Sequence, residues 1–424
     1  MDIKEIKNDL LGEKYYKIKH TSGLNIYVFP KENYSTAYAV FGTKYGSIDT
    51  IFKKAGDEKF TEIPEGIAHF LEHKLFESEE LDAFERFAKT GASANAYTSF
   101  DKTCYLFSCS GNFKENLDIL LDFVRHPYFT QKTVEKEQGI IGQEIRMYRD
   151  VPDWRVLFNL LCAMYKNHPV RIDIAGTEES IAEITADLLY KCYDTFYNLN
   201  NMALAVAGNV TVDEVIESAD RLLTKDEDLQ IERKFVMEEK EVVEEYVEEK
   251  LSVASPIFSL GFKEICETPE RTLKEELLGN IILETIAGNT SDLYKDLIDK
   301  ELINPTFSTE YFTGYGYSSM IFSGESSNPK ETSKIIKEKI KEFKQNGISE
   351  EDFERARKKL YGREIMSYND VDDLANNLIA ADFMNEDLFD EFEMLKVLTC
   401  KEANEFLEKI LDEKYSALSV IIPA

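Results

Sequence analysis

The chain has 424 residues, 43% of them hydrophobic, with 50 Lys and Arg against 80 Asp and Glu and a formal net charge of −30. That length suggests two or three domains, with apolar content ample for globular cores. The charge argues against nucleic acid, whose phosphates it would repel, and no apolar run approaches the roughly 20 residues that span a bilayer. The N-terminal stretch MDIKEIKNDLLGEKYYK lacks the apolar core of a signal peptide. Six scattered Cys (104, 109, 162, 192, 266 and 400) show no CxxC spacing, so reduced thiols and a cytoplasmic location are the expectation. The acidity reads first as a solvated surface and second as an attraction for basic peptides.

In chain order, Leu24–Pro30 and Ala37–Gly42 alternate or run apolar, as strands do. The run PEGIAHFLEHKLFE then has helical character, with Pro64 at a plausible first turn. It contains His69-Phe-Leu-Glu72-His73, two of only five His in the chain. His at i and i+4 project from one helix face, with Glu72 between them on nearly the same side. That pattern offers two imidazoles to one metal and a carboxylate to the metal's water. The order HxxEH inverts the HExxH motif.

Leu81–Lys89 reads as a short helix closed by Gly91. Ala94–Ser99 and Thr103–Cys109 read as a hairpin turning at Phe100–Lys102, and Asn112–Arg125 as an amphipathic helix with Leu117, Leu120, Leu121 and Val124 on one face. Thr133–Asp150 is again helical. Glu137 and Glu144 lie two turns apart on one face, so either can supply a third ligand, and the spacing does not choose between them. Gly139 and Gly142 between them read as a close approach to the His69/His73 helix. The acidic run Glu238–Lys250 reads as part of a connector.

The chain also repeats itself. Gly142–Asp153 and Gly362–Asp373 agree at seven of twelve positions, at an offset of 220. Ala203–Val206 echoes Ala417–Val420, and Ser110-Gly111 before one helix echoes Ser323-Gly324 before another. Two homologous halves follow: a domain at 1–224, an acidic linker at 225–250 and a second domain at 251–424. At the similar offset of 212 His69-Phe-Leu-Glu-His73 falls on Ile281-Ile-Leu-Glu-Thr285, and at 220 Glu144 falls on Glu364 and Glu137 on Arg357. The second half keeps the apolar frame and loses the His pair. Each half mixes strands and helices without strict βαβ alternation, so the expected class is α+β, with a mostly antiparallel or mixed sheet and helices on one face.

GIAHFLEHKLF, then GASANAYTSFDKTCYLF, then the Glu137–Glu144 spacing resemble the pitrilysin/insulinase superfamily of inverzincin metallopeptidases, which includes mitochondrial processing peptidase. HPVRIDIAGTEESIAEIT and MALAVAGNV add to the likeness, which covers essentially the whole chain and is strongest to short bacterial members. The resemblance implies one zinc per chain held by His69, His73 and Glu144, with Glu72 as general base and Glu137 supporting the site. It implies that an edge strand, here Ser93-Ala94-Asn95-Ala96-Tyr97, binds an extended peptide. Relatives often carry an Arg and a Tyr in the second domain that grip the substrate. The comparable stretch Leu297–Pro305 has neither, so the chain resembles the zinc-bearing member of a pair, in a heterodimer with a homologous subunit that carries them or in a homodimer. The rival expectation is a non-catalytic peptide-binding or interaction subunit.

Overall fold

A computed structural model describes residues 1–79, 81–264 and 270–424. Two compact units emerge: Met1–Gln143 with Ile174–Lys234 and Ile365–Asp390, and Glu144–Asp173 with Phe235–Glu364 and Glu391–Ala424. The protein is α+β, a sheet and packed helices in each unit. Among the described residues, Cys104, Cys109, Cys162, Cys192 and Cys400 are free thiols, and Cys266 lies outside those residues. No helix among the described residues is long and apolar enough to cross a membrane.

The first ten strands are β1 (Asp2–Asn8), β2 (Glu13–Lys19), β3 (Asn25–Pro30), β4 (Ala37–Thr43), β5 (Ile51–Lys54), β6 (Thr61–Glu62), β7 (Ser93–Thr98), β8 (Thr103–Cys109), β9 (Met202–Gly208) and β10 (Ile231–Arg233). Seven form one sheet in the order β1-β2-β3-β9-β4-β8-β7, and β10-β5-β6 form a small second sheet. The strands β11 (Tyr246–Leu251), β12 (Ile257–Lys263), β13 (Ser308–Gly314), β14 (Tyr317–Glu325) and β15 (Ser416–Pro423) form the sheet of the second unit, in the order β11-β15-β12-β14-β13. Strands β3-β9-β4-β8-β7 and β11-β15-β12-β14-β13 share one plan. The first pair is parallel and the other three antiparallel in both. β11 is the end of the acidic run, so that part of the connector is a sheet strand.

The helices are α1 (Ile67–Leu75), α2 (Ala83–Thr90), α3 (Phe113–Arg125), α4 (Gln131–Arg149), α5 (Pro152–Met164), α6 (Glu178–Ala182), α7 (Ala186–Phe196), α8 (Val212–Leu222), α9 (Leu273–Ala287), α10 (Asp292–Asp299), α11 (Pro329–Asn346), α12 (Glu350–Ser367), α13 (Val371–Met384), α14 (Asp390–Val397) and α15 (Cys400–Leu407). α3 buries the Leu117, Leu120, Leu121 and Val124 stripe read from its periodicity. α2 ends at Gly91, whose φ of 78° closes the helix in the left-handed region.

Helices cover both faces of each main sheet. α1 and α3 pack on one face of the first sheet, and α13, which comes from the second half of the sequence, packs on the other. There Leu374, Ala375, Leu378 and Ile379 meet Tyr27, Phe29, Tyr38, Val40 and the Ala203, Ala205 and Ala207 row of β9. In return α5, from the first half, packs on β12 and β15 of the second sheet. There Gly261 leaves no room for a Cβ, which would stand 2.5 Å from Met164 Sδ.

Four sequence expectations need correction. Each main sheet carries helices on both faces and not on one, because α13 and α5 each come from the other half of the sequence. α1 starts after Gly66 and not at Pro64, because Gly66 turns the chain with φ 85°. Gly139 is exposed, and a Cβ there would meet nothing within 4 Å, so close packing does not explain it. It lies two residues past Glu137, on nearly the opposite side of the helix. Ser323-Gly324 lies inside β14, whereas Ser110-Gly111 follows β8, so that pair does not mark equivalent places.

Candidate metal centre

α1 is held from both ends of its approach. A Cβ on Gly66 would stand 2.3 Å from the Ala175 carbonyl oxygen, and one on Gly176 would stand 2.6 Å from that of Glu65. Ser180 Oγ donates to the Glu65 carbonyl at 2.9 Å. The segment AGTEES thus clamps the start of α1, backbone against backbone. Beyond that clamp, Ile67, Ala68, Phe70, Leu71, Lys74 and Leu75 form the buried side of α1. His69, Glu72 and His73 are left on its half-exposed side.

α4 supplies the rest. Val134, Glu137, Ile141 and Ile145 form its buried stripe, so Glu137 is a carboxylate in a position otherwise apolar. Gln138 pins the helix by donating to the Ile181 and Ile184 carbonyls, each at 3.1 Å. The boundary between the two units falls inside α4, between Gln143 and Glu144. The helix runs unbroken through it, so Glu144 keeps its two-turn spacing from Glu137.

One donor atom each from His69, His73 and Glu144 lies within 4.8 Å of the others. The His69 and His73 rings are 4.6 Å apart between centroids. Glu137 Oε1 is 3.0 Å from His73 Nδ1. An ionised carboxylate only accepts, so His73 carries its proton on Nδ1 and keeps a lone pair on Nε2. Burial, with His73 alongside, pushes the His69 pKa down to about 3, which leaves a neutral imidazole able to ligate. Two imidazoles and a carboxylate make the donor set of a catalytic zinc site, and the arrangement fits that ion.

Glu72 stands beside these donors, and its Oε2 accepts from Thr98 Oγ1 at 2.6 Å. Thr98 was missed from sequence. Among the described residues β7 is an edge strand, paired with β8 alone. Alternation sets Ala94, Ala96 and Thr98 on the face toward α1 and Ser93, Asn95 and Tyr97 on the other, where Tyr97 donates to Asn376 Oδ1 at 2.9 Å. The free edge of β7 leaves main-chain groups open to an added strand.

Elsewhere, His20 contacts Ser22 Oγ at 2.7 Å and Asp220 Oδ1 at 3.0 Å. This has the composition of a hydrolase triad, but Ser22 is buried within a turn and unreachable by substrate.

The second unit shows what the repeat lost. Ile281 and Thr285 are buried in α9 where the first half has its His pair. Glu284 binds Lys359 Nζ at 2.6 Å, with Arg363 at 3.9 Å. An ammonium group on α12 therefore answers the carboxylate that the repeat retains.

Residues 54–178 match the insulinase (peptidase family M16) profile, and residues 183–360 match the M16 inactive-domain profile. A Bacillus subtilis (strain 168) protein named as an uncharacterized zinc protease, YmfH, is 41% identical over 99% of each chain. The chain belongs to peptidase family M16. A crystal structure of an M16-like peptidase from Alicyclobacillus acidocaldarius superposes with a TM-score of 0.94 at 36% identity, over 97% of this chain and 99% of that one. The beta subunit of mitochondrial-processing peptidase from Caenorhabditis elegans is 33% identical over 190 residues, 42% of this M16 chain and 40% of that protein.

Proposed function

We propose that the chain is a zinc-dependent endopeptidase for short or unfolded peptides, acting in the cytoplasm as the zinc-bearing subunit of a two-subunit enzyme. Residues 1–224 carry the chemistry, and 251–424 are a degenerate copy joined by the connector. The observation that carries this reading is the convergence of His69, His73 and Glu144, with Glu72 alongside and Glu137 on His73.

In this reading His69, His73 and Glu144 hold one zinc, and Glu137 fixes the His73 ring and its tautomer. Bound zinc supplies a water of lowered pKa and a Lewis-acid contact for the peptide carbonyl. Glu72 takes the proton from that water as it attacks and returns it to the leaving amine. The free edge of β7 holds the peptide extended through main-chain hydrogen bonds, with Ser93, Ala94, Asn95 and Ala96 along it. The small side chains of Ala94 and Ala96 leave room for substrate.

A partner is favoured by what the second unit does with its Arg and Tyr. Arg271 and Tyr311 do converge there, but on Glu264, at 2.7 and 2.8 Å. Both contacts serve a buried carboxylate of the chain's own fold. That the C. elegans relative is named as a subunit also favours an assembly.

The test combines metal analysis with hydrolysis of an unstructured peptide library, by the chain alone and with a homologous subunit that carries the Arg and Tyr. The expected result is one zinc per chain, weak hydrolysis alone and strong hydrolysis in the mixture. Glu72→Gln should keep the zinc and lose about 10²–10⁴-fold in rate. Peptide binding without cleavage in every mixture would replace this reading with that of a non-catalytic peptide-binding subunit.

A further inference from the structure

Thr98 is the last residue of the edge strand, and its hydroxyl is the link between that strand and Glu72. In the β7–β8 pair Thr98 lies directly opposite Thr103, with the two hydroxyl oxygens 3.4 Å apart. Thr103 is fully buried and donates its proton to the Tyr45 carbonyl at 2.9 Å. The Thr103 proton is therefore committed elsewhere. The Glu72 carboxylate has only lone pairs to offer, so Thr98 is the donor in the 2.6 Å contact. That bond engages Oε2.

A glutamate side chain has three rotatable bonds, and freezing them costs entropy each time the base is aligned. Threonine on a strand is stiff at χ1, because its branched Cβ limits its rotamers. A hydroxyl on a rigid sheet position thus sets one carboxylate oxygen ahead of substrate arrival. The same strand offers the free edge to a peptide, so the backbone that would register the substrate also ends in the group that holds the base.

We propose that Thr98 is the positioning residue for Glu72, fixing the orientation of its carboxylate through Oε2, and that β7 thereby ties peptide register to base alignment. This rests on the reading of Glu72 as general base given above. The residue acts through Glu72 and touches no reacting atom itself.

The test uses the full chain, with its homologous subunit where that is needed for turnover. Thr98→Val keeps the shape and removes the hydroxyl, and Thr98→Ser keeps the hydroxyl. Thr98→Val should lower kcat about 10- to 100-fold, the range expected for a misaligned catalytic group. KM should stay within about twofold, since substrate contacts are untouched. Zinc content should stay at the wild-type value, and Thr98→Ser should recover most of the rate. Glu72→Gln/Thr98→Val should be no slower than Glu72→Gln alone, because no base is then left to align. A readout free of turnover uses metal-free protein. There the urea midpoints of Thr98→Val, Glu72→Ala and Glu72→Ala/Thr98→Val should combine non-additively.

Unchanged kcat in Thr98→Val, equal loss in Thr98→Ser, or independent losses in the double variant would overturn the proposal. Should Glu72→Gln hydrolyse as fast as wild type, the general-base reading fails on its own. Additive urea midpoints would in that case also overturn the Thr98–Glu72 link.

Discussion

Glu238 anchors the connector, and its removal should cost the second unit much of its stability. Its carboxylate accepts from the backbone N–H groups of Lys166 (2.9 Å), Asn167 (2.8 Å) and His168 (2.7 Å), and from Lys263 Nζ at 2.9 Å. The Lys263 side chain is 0% exposed and that of Glu238 only 9%. Burial alone would raise the carboxyl pKa, but these N–H groups and the Lys263 ammonium outweigh it and hold the value at about 2. Glu238→Ala leaves the buried Lys263 ammonium with no counter-charge at that oxygen and only the Met164 and Glu241 carbonyls to donate to, which typically costs about 3–5 kcal/mol, and the orphaned N–H groups on the partly exposed turn regain some water. In a unit of this size that lowers Tm by about 10 °C. The assay is calorimetry or urea unfolding of wild type, Glu238→Ala, Lys263→Met and the double variant, which should be more stable than Glu238→Ala alone. The pH dependence has a fixed sign. A folded pKa below the ordinary 4.5 means the contribution is complete above pH 4.5 and is lost as pH falls toward 2. A loss under about 1 kcal/mol in Glu238→Ala, or a double variant less stable than Glu238→Ala, would refute this reasoning.

His73→Ala and Glu144→Ala should each abolish tight zinc binding, as measured by metal analysis after dialysis, while Glu364→Ala should leave the metal content unchanged. Gly66→Ala forces a left-handed φ of 85° on a residue with a Cβ and drives that atom into the Ala175 carbonyl. It should cost about 2–4 kcal/mol in urea unfolding and weaken zinc uptake by tilting α1, whereas an unchanged midpoint would show that the clamp yields freely. Burial pushes the His168 pKa down to about 4, and its Nε2 donates to the Tyr315 carbonyl at 2.9 Å. Because the unfolded value near 6.5 lies above the folded one, its contribution is full above pH 6.5 and is lost as pH falls toward 4. Unfolding curves for His168→Gln should lack about 3 kcal/mol of that dependence.

Much of the candidate site was legible in the chain because it rests on short-range periodicity. His69, Glu72 and His73 share a face through helix geometry alone, and the Glu137–Glu144 spacing survives in an unbroken α4. The residues between the His pair and its neighbours were harder. Thr98 bonds Glu72 across 26 positions, and no local pattern announces it. Spacing put Glu137 and Glu144 on one face without dividing their roles, which the buried stripe of α4 and the contact to His73 do, and Glu238 sat in a run that read only as a connector. Pro64 signalled a helix start, but the backbone clamp at Ala175 and Gly176 moves that start past Gly66. Such contacts join segments more than a hundred residues apart, and sequence carries them only as isolated glycines. The second face of each sheet was hidden for a like reason. The amphipathic pattern of α13 shows that it is buried, not what buries it.

The exchange of α5 and α13 has a consequence for inheritance. A shortened gene product ending at residue 224 would lack α13, leaving Tyr27, Phe29, Tyr38 and Val40 bare to water on the open sheet face. A product starting at residue 251 would lack α5 and bare the opposite partner, the face of β12 and β15. Bare aromatic sheet surface invites aggregation. Each copy therefore depends on the other to be soluble, whatever its chemistry. The second half can hold Ile281 and Thr285 at the places of His69 and His73, and pair Glu284 with Lys359, and still be needed for its helix. Neither half can then be discarded while the other needs it to cover a sheet face.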